Sequence, residues 1–277
     1  MFITRPAGTS PGDIAGKQSR VVLLSMPRTG STMITRYLNK HSKIFFVGAM
    51  FSIEGWLGDG PGRRPIKEGL SPEWDELPYR VENRLELMER VFTAFPKARC
   101  VGFKHHMSGP PEVTETVLAD PAVAKILLYR ANILACFASE SVARMKVAGQ
   151  PGKPVFVPEE FTKYLRIRRG IYKRWKEPWE QGAGDLTVIE YLDARTQEGK
   201  GSLVDFLGYK REELEQVTPK RGSDHIVSRF ENPDDVSAYL AENDLAHWTE
   251  EGSSTPIAAS TTLYWPDSHK LALDAGR

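Results

Sequence analysis

Val21-Val22-Leu23-Leu24-Ser25-Met26-Pro27-Arg28-Thr29-Gly30-Ser31-Thr32 opens on four consecutive apolar residues and closes on a polar, turn-forming run. A short apolar run bounded by a turn is the pattern of a strand buried on both faces. Met33, Ile34, Tyr37 and Leu38 then recur at the spacing of one helix face, so the stretch reads as strand, tight loop and helix. A loop that feeds a helix N-terminus meets unpaired N–H groups and the positive end of the helix dipole, and together these hold phosphate oxygens. Across Arg28-Thr29-Gly30-Ser31-Thr32, the glycine permits close backbone approach, the hydroxyls add donors and Arg28 supplies a permanent charge. The plain alternative is a helix capped by Ser or Thr with no ligand.

The loop is a poor Walker A motif. GxxxxGK[ST] ending on Thr32 requires Gly at position 25 and Lys at position 31, and both are serines. Without that lysine, magnesium-dependent hydrolysis of a nucleoside triphosphate is the weaker reading of this phosphate chemistry.

Outward from the loop, residues 1–19 are rich in Gly, Pro and Ser and read as a loose tail. The stretch 48–78 carries many glycines and prolines and reads as irregular. A helix over 82–95 precedes a strand at Cys100-Val101-Gly102-Phe103, and Ala124 to Tyr129 is a second strand followed by a helix over 132–146. From 159 to 179, Phe161, Tyr164, Leu165, Tyr172, Trp175 and Trp179 form an apolar helical stripe. Leu186 to Glu190 is a further strand, and the remainder reads as helical until a polar tail over 252–277. Strands alternating with helices predict a single α/β domain over 20–251, a central parallel sheet flanked by helices with a P-loop-like strand-loop-helix at its start.

Composition narrows the function classes. At 277 residues, with 40% hydrophobic and 26% charged side chains, the chain has ordinary globular make-up. Its 37 basic and 36 acidic residues leave a net charge of +1, so no overall field collects nucleic acid or anionic membrane, and an anion has to be held locally. Two cysteines without CxxC spacing predict buried thiols in a reduced, cytoplasmic protein. Arg5 and Pro6 interrupt any signal-peptide core, and Lys125 and Arg130 interrupt the one long apolar stretch, so neither export nor a membrane span is expected.

Pro27-Arg28-Thr29-Gly30-Ser31-Thr32 after an apolar strand resembles the 5′-phosphosulfate loop of sulfotransferases that use 3′-phosphoadenosine 5′-phosphosulfate (PAPS), closest to the bacterial carbohydrate type. Further segments agree in order. Gly102-Phe103-Lys104-His105-His106 resembles the family's Lys-x-His segment. Leu127-Leu128-Tyr129-Arg130, followed by Ser139 and Ser141, is similar to its 3′-phosphate site. Val188-Ile189-Glu190-Tyr191-Leu192 resembles the strand and tyrosine that face adenine. Leu203 to Gly208, then Pro219-Lys220-Arg221-Gly222, are similar to the helix and basic loop that close over the nucleotide. Three features depart from the pattern: the usual arginine-to-serine spacing lands on Ala138; the Gly-Glu pair of bacterial relatives reads Gly48-Ala49, leaving Glu54 as the nearest carboxylate; and the adenine-stacking tryptophan of the cytosolic enzymes has no matched counterpart, with Trp56 in the irregular stretch.

The resemblance implies transfer of a sulfuryl group from PAPS, as co-substrate and without a metal, to a hydroxyl acceptor of the carbohydrate or glycolipid class. Arg28, the loop amides and Lys104 would stabilise charge on the leaving bisphosphate. His106, then His105, then Glu54 are the candidates for the base, and alternation along a strand allows one of the two histidines to face the site. Arg130 with Ser139 or Ser141 would grip the 3′-phosphate, Tyr191 the adenine, and Lys220 and Arg221 a phosphate. The histidines lack companions at zinc-ligand spacing. Seven basic residues between Lys163 and Lys176 read as a solvated helix face, with an anionic partner as the alternative. The competing functions are a small kinase or NTPase with an atypical P-loop and a nucleotide-binding protein of the same fold without turnover.

Overall fold

The computed structural model describes residues 3–4, 18–49, 51, 66, 68, 71–213 and 222–252. Strands β1 (Ile3–Thr4), β2 (Ser19–Ser25), β3 (Ile44–Ala49), β4 (Cys100–His106), β5 (Val123–Tyr129) and β6 (Leu186–Glu190) form one sheet in the order β1-β6-β5-β2-β4-β3. β2 to β6 are parallel, and β1 adds an antiparallel edge through Ile3 and Thr4 opposite Val188 and Thr187. The chain leaves β2 toward the β3 edge, returns to β4, then crosses over β2 to reach β5. That reversal opens a crevice beyond the carboxyl ends of the central strands, the usual ligand position in open α/β sheets.

Val21, Val22, Leu23 and Leu24 are all fully buried because β2 is covered on both faces. Val21 and Leu23 pack with Ile34, Tyr37 and Leu38 of α1 (Ser31–Leu38) and with Leu203 and Val204 of α8 (Gln197–Phe206). Val22 and Leu24 face the other layer. That layer comprises α3 (Arg84–Thr93), α4 (Pro111–Ala119) and the C-terminal half of α6 (Pro158–Glu180), which buries Tyr172, Trp175 and Trp179. At roughly 1.5–3 kcal/mol for each large apolar side chain removed from water, these two layers hold the sheet in place. α5 (Ile133–Val147), the N-terminal half of α6, α9 (Pro233–Glu242) and Ile226 to Phe230 build a third cluster beside the site. Short helices α2 (Leu77–Glu82) and α7 (Tyr191–Arg195) complete the set among the described residues.

Three elements depart from the sequence reading. The tail contributes β1; Ile44–Ala49 is a strand, where only an irregular stretch was expected from position 48; and Pro111–Ala119 is a helix. Cys100 and Cys136 are free, buried thiols, and burial pushes the Cys100 thiol up to about 12. No helix among the described residues is long and apolar enough to cross a membrane.

Candidate active site

Ser25 pairs in register with His106 on one side and Leu128 on the other, so the ends of β2, β4 and β5 form one rim. The 26–30 loop rises from that rim, and buried arginines fix its backbone. Arg168 Nη1 donates to Pro27 O at 3.0 Å, and Arg130 Nη1 to Arg28 O at 3.2 Å. In a trans peptide the C=O and the following N–H point in opposite directions, so these bonds turn the N–H groups of Arg28 and Thr29 away from the two arginines. Arg28 itself is left-handed, with φ 66°. Holding a non-glycine residue there costs of order 1–2 kcal/mol, which the two arginine bonds offset.

Gly30 caps α1 at φ 90° with no side-chain hydrogen bond, and the first turn carries no acidic residue. The opening amides of α1 therefore lack a competing internal anion. A Cβ on Gly30 would lie 2.6 Å from Tyr191 Cδ2, so the close approach that requires glycine here is made by the Tyr191 ring. Thr29 is buried and its hydroxyl donates to Met26 O at 2.8 Å, leaving its amide as the group available for binding. Ser31 is buried at the helix start, and Thr32, exposed, accepts from Lys104 Nζ at 3.1 Å. Burial, then Arg28 and Arg36, push the Lys104 ammonium below the usual lysine range.

The adjacent histidines separate as strand alternation requires. His105 is 1% exposed on the layer of α4, with Nε2 2.9 Å from Thr114 Oγ1 and its ring edge-on to Phe51. Burial and the neighbouring His106 push it down to about 3. His106 stands on the Lys104 side of β4. Burial first, then Lys104, lower it to about 4, with Arg168 adding to the effect and the Ser25 backbone opposing it. Both imidazoles are neutral at pH 7, and of the two His106 is the one beside the loop.

At the end of β5, Arg130 donates through Nε and Nη2 to both carboxylate oxygens of Glu251 and lies 4.3 Å over the Tyr191 ring. Arg28 Nε donates to Ser139 Oγ at 3.0 Å and Nη2 to Ser139 O at 3.0 Å. The structure thus brings Ser139 to the loop. Ser141, two residues on, lies about 200° further around α5. Glu54, Lys220 and Arg221 fall outside the described residues.

Two site residues escaped the sequence reading. Arg168 is 2% exposed, against the expectation of a solvated face, while Lys163, Arg166, Lys173 and Arg174 of the same run are exposed as expected. The signal was present: Phe161, Leu165, Arg168, Tyr172, Trp175 and Trp179 follow alternating spacings of four and three, placing Arg168 in a core position of the stripe. Glu190 caps α7 through the Leu192 amide and also accepts Ala131 N–H at 3.1 Å. Burial raises its pKa, opposed by those two backbone bonds. Nothing in the sequence around Glu190 marks it as a cap.

Ser25 Oγ, His106 Nδ1 and Arg168 Nε and Nη2 are buried without a hydrogen-bond partner, all at this one end of the sheet. Orphaned polar groups gathered beside a loop of free amides and four cations (Arg28, Arg36, Lys104 and Arg168) fit an anionic ligand that would take up the unused donors. Among the described residues no group of three or more His, Cys, Asp or Glu side chains gathers to hold a metal ion.

No protein-family profile matches the chain, and no curated protein matches it. Among solved structures it is similar to a sulfotransferase from Alicyclobacillus acidocaldarius, at 10% identity and TM-score 0.45 over 81% of this chain and 92% of that one. It is also similar to the sulfotransferase domain of the curacin biosynthetic pathway, at 17% identity and TM-score 0.47 over 89% and 94%. The sulfotransferase domain of the Synechococcus PCC 7002 olefin synthase gives 17% identity and TM-score 0.44 over 90% and 93%. Overlap at this level leaves the functional reading to the local geometry of the loop and the strand ends.

Proposed function

We propose that this chain is a sulfotransferase that moves the sulfuryl group of PAPS to a hydroxyl acceptor by in-line displacement. The observation that supports the reading is the convergence of the 26–30 loop, the uncapped start of α1, Lys104 and His106 at one end of the sheet, with Lys104 Nζ 3.1 Å from Thr32 Oγ1. Arg28 and the amides of Gly30, Ser31 and Thr32 would hold the 5′-phosphosulfate. Arg130 and Ser139 would meet the 3′-phosphate and Tyr191 the adenine, with Lys220 and Arg221 closing over the nucleotide. Glu54, outside the described residues, is the third candidate for the base after His106 and His105.

In the transfer, the acceptor oxygen forms a bond to sulfur while the bond from sulfur to the bridging phosphate oxygen breaks. Lys104 and Arg28 neutralise the charge that grows on that oxygen. His106 takes the acceptor proton. An imidazole at about 4 is a weak base, and it is held there by burial, Lys104 and Arg168. A bound phosphosulfate offsets both cations and raises the imidazole toward the working pH.

The low basicity of His106 also favours a second reading, a nucleotide-binding protein without turnover. Incubation with PAPS and a panel of carbohydrate and lipid hydroxyls separates the two. Release of 3′-phosphoadenosine 5′-phosphate (PAP) together with a sulfated product supports transfer, whereas PAPS binding with no release across the panel supports the second reading.

A further inference from the structure

All three nitrogens of Arg130 are engaged in this structure. Its Nε lies 2.9 Å from Glu251 Oε1, its Nη2 bonds Oε2, and its remaining nitrogen holds Arg28 O. Arg229 Nη2 reaches the same Oε2 at 3.1 Å. The three side chains are nearly dry: 7% exposed for Arg130, 1% for Glu251 and 11% for Arg229. One carboxylate therefore serves two guanidinium groups. The groups that also face Arg130 include the Cys136 thiol, Glu190, spent on the Ala131 and Leu192 amides, and the Tyr191 ring beneath the guanidinium. The turn carrying Glu251 is tied down by Glu251 N–H to Asp224 O at 2.8 Å and by Asn132 Nδ2 to Glu250 O at 3.1 Å.

We infer that Glu251 is an internal anion that fills the Arg130–Arg229 site, and that a phosphate monoester must displace it to bind. Arg130 and Arg229 carry two positive charges against one carboxylate, and although Arg229 Nε and Nη2 also donate to Ser223 O, a phosphate dianion with three oxygens matches the pair in charge and takes up the donors that Glu251 now occupies. Displacement needs only the Glu251 side chain to swing out, since its backbone is anchored independently. Glu251 then decides which nucleotide enters: one with a 3′-phosphate supplies the replacement anion, whereas one without it leaves the carboxylate in place. The inference rests on the nucleotide reading proposed above.

The test is calorimetric titration of wild type, Glu251→Gln and Glu251→Asp with PAP, AMP and inorganic phosphate. Removing a competitor raises apparent affinity by the reciprocal of the fraction that was open, so Glu251→Gln should bind PAP about tenfold or more tightly than wild type. AMP, which lacks the 3′-phosphate, should be unchanged. Inorganic phosphate should bind the Gln variant more tightly as well, which separates a general phosphate site from one that also needs the nucleoside. Glu251→Asp keeps the charge but loses reach, and should give a smaller gain of the same sign even if the Gln variant folds poorly.

Equal or weaker PAP binding in both variants, with wild type binding normally, would make Glu251 a purely structural anion and overturn the inference. An equal gain for AMP would do the same. If folded wild type and both variants all fail to bind PAP, the nucleotide reading itself falls, an outcome distinct from the other two.

Discussion

Replacing His105 by Gln should remove a large part of the protein's acid sensitivity without touching the candidate base. The His105 ring is 1% exposed, and burial with His106 nearby pushes it down to about 3, against an ordinary value near 6.5. Between those two pH values the unfolded chain binds a proton that the folded chain refuses. Stability is therefore fully present above pH 6.5 and falls as the pH drops toward 3. At pH 4.5, two units below the unfolded value, this one group costs about 3 kcal/mol relative to pH 7, at 1.36 kcal/mol per unit. Gln keeps a partner for Thr114 Oγ1, which lies 2.9 Å from His105 Nε2. Urea denaturation of wild type and His105→Gln at pH 7 and 4.5 measures the effect. The variant should lose about 3 kcal/mol less than wild type between the two pH values. Equal losses would refute the placement of His105 as a buried neutral imidazole and reopen it as a site residue.

Three further outcomes follow from the site. His106→Ala should lower kcat on the order of 100-fold or more with little change in the KM for PAPS, by steady-state kinetics; a loss confined to KM would reject it as the base. The acidic limb of the kcat profile should lie at higher pH than that of kcat/KM, because the bound phosphosulfate offsets the Lys104 and Arg168 charges that depress His106; coincident limbs would contradict this. Gly30→Ala should destabilise by at least about 1–2 kcal/mol from the left-handed backbone, with an added penalty from a Cβ 2.6 Å from the Tyr191 ring, and weaken nucleotide binding in the same titration; an unchanged melting temperature would contradict the geometry.

The strand-loop-helix was legible because each part carries its own periodicity: Val21 to Leu24 as a two-sided strand, then Met33, Ile34, Tyr37 and Leu38 on one face. Ile44–Ala49 was harder, since a short apolar run beside a Gly- and Pro-rich stretch has no period that separates a strand from a loop. The loop was legible as an anion site from residue types, but the use of each residue was not. Gly30 is explained by a ring brought in from position 191, and Thr29 spends its hydroxyl on Met26. Such contacts join residues distant in sequence. Arg168 marks the boundary between the two cases: its spacing placed it on the buried stripe, while its charge argued for solvent, and the Pro27 carbonyl together with the hydroxyl and ring of Tyr164 partner the buried guanidinium.

The central claim is a metal-independent site for a bisphosphate nucleotide at the carboxyl ends of the sheet. Calorimetric titration with PAP in the presence of a chelator, with ATP and magnesium as comparator, tests it most directly in wild type, Arg28→Ala and Arg130→Ala. Binding of PAP without metal, lost in both variants while each remains folded, is the predicted result. Binding of ATP and magnesium alone, or PAP affinity indifferent to both arginines, would contradict the account.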